Sequence, residues 1–141
     1  GHFDQLEDFS REGPMAVVSP DQDSNPSLLT PVQAFKWFID QGGKFNSGWE
    51  NRVTRVIPRT AVPFTPLLTA PFITVPVLMM IGRDDEMPLI SKEVQLEVYS
   101  RIESKKEFYE IDGGHFGAIY PQSELFHEAI AKQSSFINSI T

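Results

Sequence analysis

The chain has 141 residues, of which 40% are hydrophobic and 22% are charged, a composition typical of one globular domain and not of a disordered segment. Its 12 Lys and Arg against 19 Asp and Glu give a formal net charge of −7, which argues against a nucleic-acid partner. The absence of cysteine excludes a disulfide scaffold, a thiol nucleophile and a cysteine-ligated metal site.

The sequence contains no apolar run of the roughly 18 residues that a transmembrane helix needs, so we expect no membrane partner. Residues 1–8 lack the basic-then-apolar order of a signal peptide. The lack of cysteine fits cytosol and periplasm alike, and we take a cytoplasmic location as the expectation.

Residues 1–70 contain one clear helix and are otherwise irregular. Thr30-Pro31-Val32-Gln33 combines an N-cap residue, a proline at the first helical position and a glutamine that can reach back to the cap. Apolar residues follow at helical spacing, and Gly42-Gly43 predicts the end of the helix. In this half only residues 15–18 are a further candidate strand, and residues 20–26 are rich in turn formers.

A second segment of this half, residues 45–68, has no clean hydrophobic period. Val53, Val56 and Leu67-Leu68 suggest helical turns broken by proline. Such a segment is typical of a lid or connecting region in a larger fold.

Residues 71–141 are far more regular, beginning with an apolar run over residues 75–81 that ends at Gly82. A strand that is apolar on both faces is typical of a central parallel strand covered by helices on both sides. A second strand is predicted over residues 106–111.

The spacing of apolar residues predicts a helix after each of these strands. The first covers residues 90–102, and the second covers residues 126–140 with Ser123 as its cap. The order strand, helix, strand, helix predicts the α/β class, with a right-handed βαβ crossover followed by a covering helix.

Polar residues follow both predicted strands, at the carboxyl ends where open α/β sheets bind ligands. They are Asp84-Asp85-Glu86 and Gly113-Gly114-His115. Adjacent parallel strands lie about 4.8 Å apart, so Asp85 and His115 can come within hydrogen-bond contact. A carboxylate on one imidazole nitrogen stabilises the imidazolium that forms when the other nitrogen takes up a proton. The pair is two-thirds of a nucleophilic triad, and Asp84 is the alternative acid because either aspartate can instead cap the following helix.

These residues resemble the C-terminal part of the α/β-hydrolase family. Residues 75–88 are similar to its acid-bearing strand and turn, where the acid is usually the third residue after the glycine, here Asp85. Residues 108–120, with Gly113-Gly114-His115-Phe116, resemble its last strand and catalytic-histidine loop, most closely in dienelactone-hydrolase-like and acyl-peptidase-like members. The resemblance covers about residues 73–140 and implies the C-terminal βαβα portion of an α/β-hydrolase sheet.

The resemblance further implies a lid-like segment over residues 1–70 and a hydrolase portion over residues 71–141. It gives Asp85 the role of triad acid and His115 the role of base, with a small-molecule acyl substrate and no cofactor. The family's nucleophile lies in a Gly-x-Ser-x-Gly elbow upstream of the acid, and no such motif occurs in this sequence. The nearest fragment, Asn46-Ser47-Gly48-Trp49, follows no predicted strand.

We therefore expect the chain to supply the acid and the base of a serine hydrolase of carboxylic esters or related acyl bonds. An N-terminal half of the same protein is then the expected partner, and exposed sheet edges make self-association a second expectation. The alternative is a non-catalytic interaction module on a truncated hydrolase scaffold.

Two other site types fit these residues less well. A metal site is not expected, because neither His115 nor His127 has partners at ligand spacing. His127 is expected on the closing helix as a surface or packing residue. Asp84-Asp85 after an apolar strand is similar to the acidic pair of a phosphoacceptor receiver domain, with Asp112 as a further acid. That class needs a lysine at a strand end, whereas Lys132 falls in the final predicted helix.

Overall fold

The computed structural model describes residues 13–42, 44, 47–55, 65–88 and 90–141. The chain divides into two compact units, Gly1–Pro63 and Phe64–Thr141. Each unit contains its own small parallel sheet and at least one helix, so the architecture is mixed α/β. Among the described residues, no helix is long and apolar enough to cross a membrane.

The sheet of the first unit consists of two short parallel strands, β1 (Ala16–Val18) and β2 (Ser27–Leu29). Residues 15–18 were the predicted strand, whereas β2 had no counterpart in the sequence analysis. This half therefore contains two strands, and the prediction that residues 15–18 were its only strand was wrong. A three-residue strand directly after a polar turn is too short to show a period.

Helix α1 (Val32–Gly42) follows β2 and confirms the helix that the Thr30-Pro31 start signal predicts. The carbonyl of Pro31 accepts hydrogen bonds from the N–H groups of Ala34 and Phe35, which closes the first turn. The buried residue of α1 is Ala34, and the ring of Phe38 packs 5.7 Å from that of Trp49.

The segment after α1 contacts β1 through a side chain. Asn51 Oδ1 accepts a hydrogen bond of 3.0 Å from the Val18 N–H, and its Nδ2 donates one of 2.9 Å to the Val18 carbonyl. Val53 forms an antiparallel bridge with Met15, so the helical turn suggested at Val53 was wrong. Val56, the next residue of that prediction, lies outside the described residues.

The second unit begins with a short helix, α2 (Pro66–Thr69), which contains Leu67-Leu68 and confirms the helical turn predicted there. A 3-10 turn, Ala70–Phe72, follows directly.

Strand, helix, strand and helix then follow in the predicted order. They are β3 (Val77–Gly82), α3 (Lys92–Arg101), β4 (Lys106–Ile111) and α4 (Glu124–Asn138). The two strands pair in parallel from Val77 opposite Lys106 to Gly82 opposite Ile111. Both helices begin at a serine whose hydroxyl accepts a backbone hydrogen bond, Ser91 for α3 and Ser123 for α4, as predicted for Ser123.

Burial differs from the prediction of a central strand covered on both sides. Within β3 only Ile81 is buried, and β4 is its only neighbouring strand among the described residues. Helix α3 contains no buried residue, and Val94 and Leu96 of its predicted apolar pattern are exposed. The core of this unit is apolar and small: Ala70, Ile81, Ile102, Ile111, Phe116, Ala129 and Phe136.

Candidate active site

Two turns, one after β3 and one after β4, meet at the carboxyl ends of the strands. The Arg83 N–H donates to the Ile111 carbonyl at 2.8 Å, and the Asp84 N–H donates to the Gly113 carbonyl at 3.2 Å. Backbone pairing therefore continues past both strands into the turns. A Cβ atom on Gly82 would lie 2.8 Å from the Gly113 carbonyl oxygen, so this approach requires a residue without a side chain.

Asp85 and His115 are in direct contact across these turns. His115 Nδ1 lies 3.0 Å from Asp85 Oδ2. The other carboxylate oxygen, Oδ1, accepts a hydrogen bond of 3.0 Å from the Met87 N–H. Because both oxygens of Asp85 are engaged, the carboxylate is held in one orientation toward the ring.

The two side chains differ in solvent exposure. The Asp85 side chain is 16% exposed and that of His115 is 39% exposed. With the proton of the neutral ring on Nδ1, facing Asp85, Nε2 has a free lone pair and can accept a proton from another group. This arrangement is that of a general base oriented by a carboxylate.

Asp84, the alternative acid, does not contact His115. Within the described part of the chain its side chain makes no hydrogen bond, and the residue is exposed. Its backbone carbonyl and N–H instead face the glycine turn after β4.

Glu86 is a contact of His115 that the sequence analysis missed. Its Oε2 accepts a hydrogen bond of 2.8 Å from the His115 backbone N–H. Sequence spacing cannot indicate such a contact, because it depends on the conformation of both turns. The only available signal was the position of Glu86 directly after Asp85.

An ion-pair network joins the turns next to the site to β4 and α3. Arg83 contacts Glu110 at 2.9 Å and Asp112 at 2.6 Å, and Lys92 at the start of α3 also pairs with Glu110. The hydrogen bond that Arg83 donates to Glu110 raises the pKa of Arg83. The hydrogen bonds from Lys92 and then Arg83 lower the pKa of Glu110. These contacts join the turn after β3 to both β4 and α3.

A cleft of about 480 Å³ opens beside the Asp85–His115 pair. Its lining comes from both faces of β3, from α3 and from α4, and it includes Met79, Met80, Ile81, Gln95, Ala129 and Gln133. The lining also includes Ile111 at the end of β4 and the turn residues Asp85, Gly114 and His115. The cleft therefore reaches the carboxyl ends of both strands, and His115 is part of its wall.

The residues of the weaker site types have other contacts. Asp112 pairs with Arg83, and Lys132, on α4 as predicted, donates to Glu107 Oε2 at 2.7 Å. His127 lies on α4, as predicted, where it is exposed and its ring lies 5.7 Å from that of Phe126. In the described ranges no three His, Asp or Glu side chains lie together in a way that could hold a metal ion.

Comparison of the chain with models of protein families, with curated proteins and with solved structures gave no significant match.

Proposed function

We propose that this chain is the C-terminal portion of an α/β-hydrolase and supplies the acid and the base for hydrolysis of a carboxylic ester or a related acyl bond. The observation that carries the proposal is the 3.0 Å contact between Asp85 Oδ2 and His115 Nδ1 at the carboxyl ends of two adjacent parallel strands. A carboxylate that orients an imidazole beside a cleft is the acid-and-base part of the arrangement that acyl transfer by a triad requires.

In this proposal His115 Nε2 removes the proton from a serine hydroxyl as that hydroxyl attacks the acyl carbonyl. The resulting imidazolium is stabilised by Asp85 and then donates its proton to the leaving alcohol. Water then attacks the acyl-enzyme: His115 Nε2 takes a proton from the water and donates it to the serine oxygen, which releases the carboxylic acid. The chemistry uses no cofactor.

The nucleophile and the oxyanion hole are supplied by another segment of polypeptide. Among the described residues, no serine or threonine hydroxyl hydrogen-bonds the His115 ring. The cleft beside β3 is the place at which such a segment reaches Nε2, because His115 contributes to its wall. An N-terminal half of the same protein is the proposed source.

Labelling with a fluorophosphonate tests the proposal directly. The protein is isolated from its source with an antibody against this chain, treated with the probe and analysed by intact mass. We expect one covalent adduct on a species heavier than the 15.9 kDa of this chain. An unlabelled species of 15.9 kDa would overturn the proposal.

The matched variants are His115→Ala and His127→Ala in the full-length protein. We expect His115→Ala to abolish labelling and ester turnover, because the base that activates the serine is removed. His127→Ala removes an exposed histidine of the same unit and should leave both unchanged. Near-normal turnover of His115→Ala would contradict the role of His115.

A second candidate function, a non-catalytic interaction module, is favoured by the open edge of β3. The hydrogen bonds from Val77 and Arg83 toward β4 direct the N–H and C=O groups of Leu78, Met80 and Gly82 to the opposite edge. Within the described residues these groups have no partner. Such an edge can accept an extended strand from a second polypeptide.

A further inference from the structure

We propose that Glu86 is a positioning residue that fixes the backbone of His115, so that Asp85 can fix its ring. This inference deepens the proposed function and rests on it. Asp85 and Glu86 are neighbours in one turn, and their carboxylates accept hydrogen bonds from two different groups of one histidine. These groups are the ring Nδ1 at 3.0 Å and the backbone N–H at 2.8 Å.

The need for a backbone anchor follows from the sequence of the turn. His115 directly follows Gly113-Gly114, and glycine allows more backbone conformations than any other residue. Backbone hydrogen bonds restrain Gly113 and Gly114, and the Glu86 carboxylate adds a restraint at His115 itself, the residue that carries the ring. A carboxylate is a suitable anchor because a hydrogen bond to a charged acceptor is about twice as strong as one between neutral groups.

The absence of a side chain at Gly114 provides the space in which the Glu86 carboxylate lies. A Cβ atom at Gly114 would overlap the Glu86 carboxylate and would lie 3.3 Å from the Asp84 carbonyl oxygen. A side chain at position 114 therefore displaces Glu86 from the His115 N–H. Gly114 therefore leaves the space that the Glu86 carboxylate occupies beside the His115 N–H.

Three variants separate the anchor from other roles of Glu86. Glu86→Ala removes the acceptor, Glu86→Gln keeps an acceptor oxygen without the charge, and Gly114→Ala keeps the carboxylate but displaces it. Glu103→Ala removes an exposed carboxylate of the same unit and is the control for net charge.

The first measurement is hydrogen exchange of the His115 amide, with the NMR signal of the ring Nδ1 proton observed in the same samples. We expect Glu86→Ala and Gly114→Ala to accelerate exchange of this amide roughly ten-fold or more and to broaden the Nδ1 proton signal. Glu86→Gln should lie closer to wild type, and Glu103→Ala should equal it. The Val77 amide, which donates to the Lys105 carbonyl at the other end of β3, is the internal reference and should exchange at the wild-type rate.

The second measurement is steady-state turnover by the full-length protein. A positioning role predicts that Glu86→Ala lowers kcat roughly ten-fold with little change in KM. Glu86→Gln should retain most of the wild-type kcat. Unchanged exchange of the His115 amide in Glu86→Ala and Gly114→Ala would overturn the inference. The exchange experiment needs no activity, so failure of the proposed hydrolysis with the expected exchange pattern would overturn the catalytic role and leave the anchor established.

Discussion

The Asp85 carboxylate accepts two hydrogen bonds, one from the Met87 N–H and one from the His115 ring, whereas the neighbouring Asp84 side chain accepts neither. If Asp85 is the triad acid, Asp85→Asn lowers kcat by roughly three to four orders of magnitude, because an amide stabilises neither the imidazolium nor the required tautomer. Asp84→Asn is the matched control and should retain near-normal kcat. A larger loss for Asp84→Asn would exchange the roles of the two aspartates.

At the residue level, sequence reasoning could reach Asp85 and His115 but not Glu86. The first two follow from topology, because adjacent parallel strands bring the residues after their carboxyl ends to one place. The Glu86 contact joins a side chain to a backbone N–H, and it depends on how Gly114 turns the chain. A side-chain contact set by turn conformation leaves no period or spacing in the sequence.

At the element level, strong local signals predicted the structure well. Strand β4 occupies the predicted residues Lys106–Ile111, and the serine before α4 caps it through the Phe126 N–H. The errors concern short elements stabilised by distant contacts. Strand β2 has three residues, and the Val53 bridge depends on Met15, so neither extends over a full period of hydrophobicity.

The ion pairs of Glu110 give the elements around the site a pH dependence. The pKa of Glu110 is lowered from 4.5 by its hydrogen bonds with Lys92 and Arg83. The folded chain is therefore stabilised by these pairs above the ordinary pKa, and this stabilisation is lost as pH falls through the lowered folded-state pKa. We expect the melting temperature to fall on acidification below about pH 5.

Glu110→Gln tests this dependence because it removes the titrating group while keeping its shape. The melting temperature of Glu110→Gln should lie below wild type near neutral pH, and the difference should shrink as the pH falls. Glu103→Gln, at an exposed position, is the control and should follow the wild-type curve. A difference between Glu110→Gln and wild type that does not change with pH would contradict the assignment.

At the scale of the whole molecule, the two strands of the β3–β4 sheet differ in the number of charged residues that they carry. Strand β4 has charged residues along its length, including Lys106, Glu107 and Glu110, which is how natural proteins protect a terminal edge. Strand β3 reads Val-Leu-Met-Met-Ile-Gly and has no charge. This composition is the basis on which the sequence predicts a central strand, whereas the described residues provide a neighbour on one side only.

The unprotected edge of β3 predicts concentration-dependent self-association of this chain. Met80 lies in the middle of the strand beside the cleft, and an inward-pointing charge at such a position prevents strand addition. We expect sedimentation velocity to show oligomers of the wild type and mainly monomer for Met80→Lys. Leu96→Lys is the control, because it removes an exposed apolar side chain from α3 without touching the edge, and it should associate like wild type. A wild type that stays monomeric as its concentration rises, or equal loss of oligomers in both variants, would show that backbone pairing at β3 does not drive association.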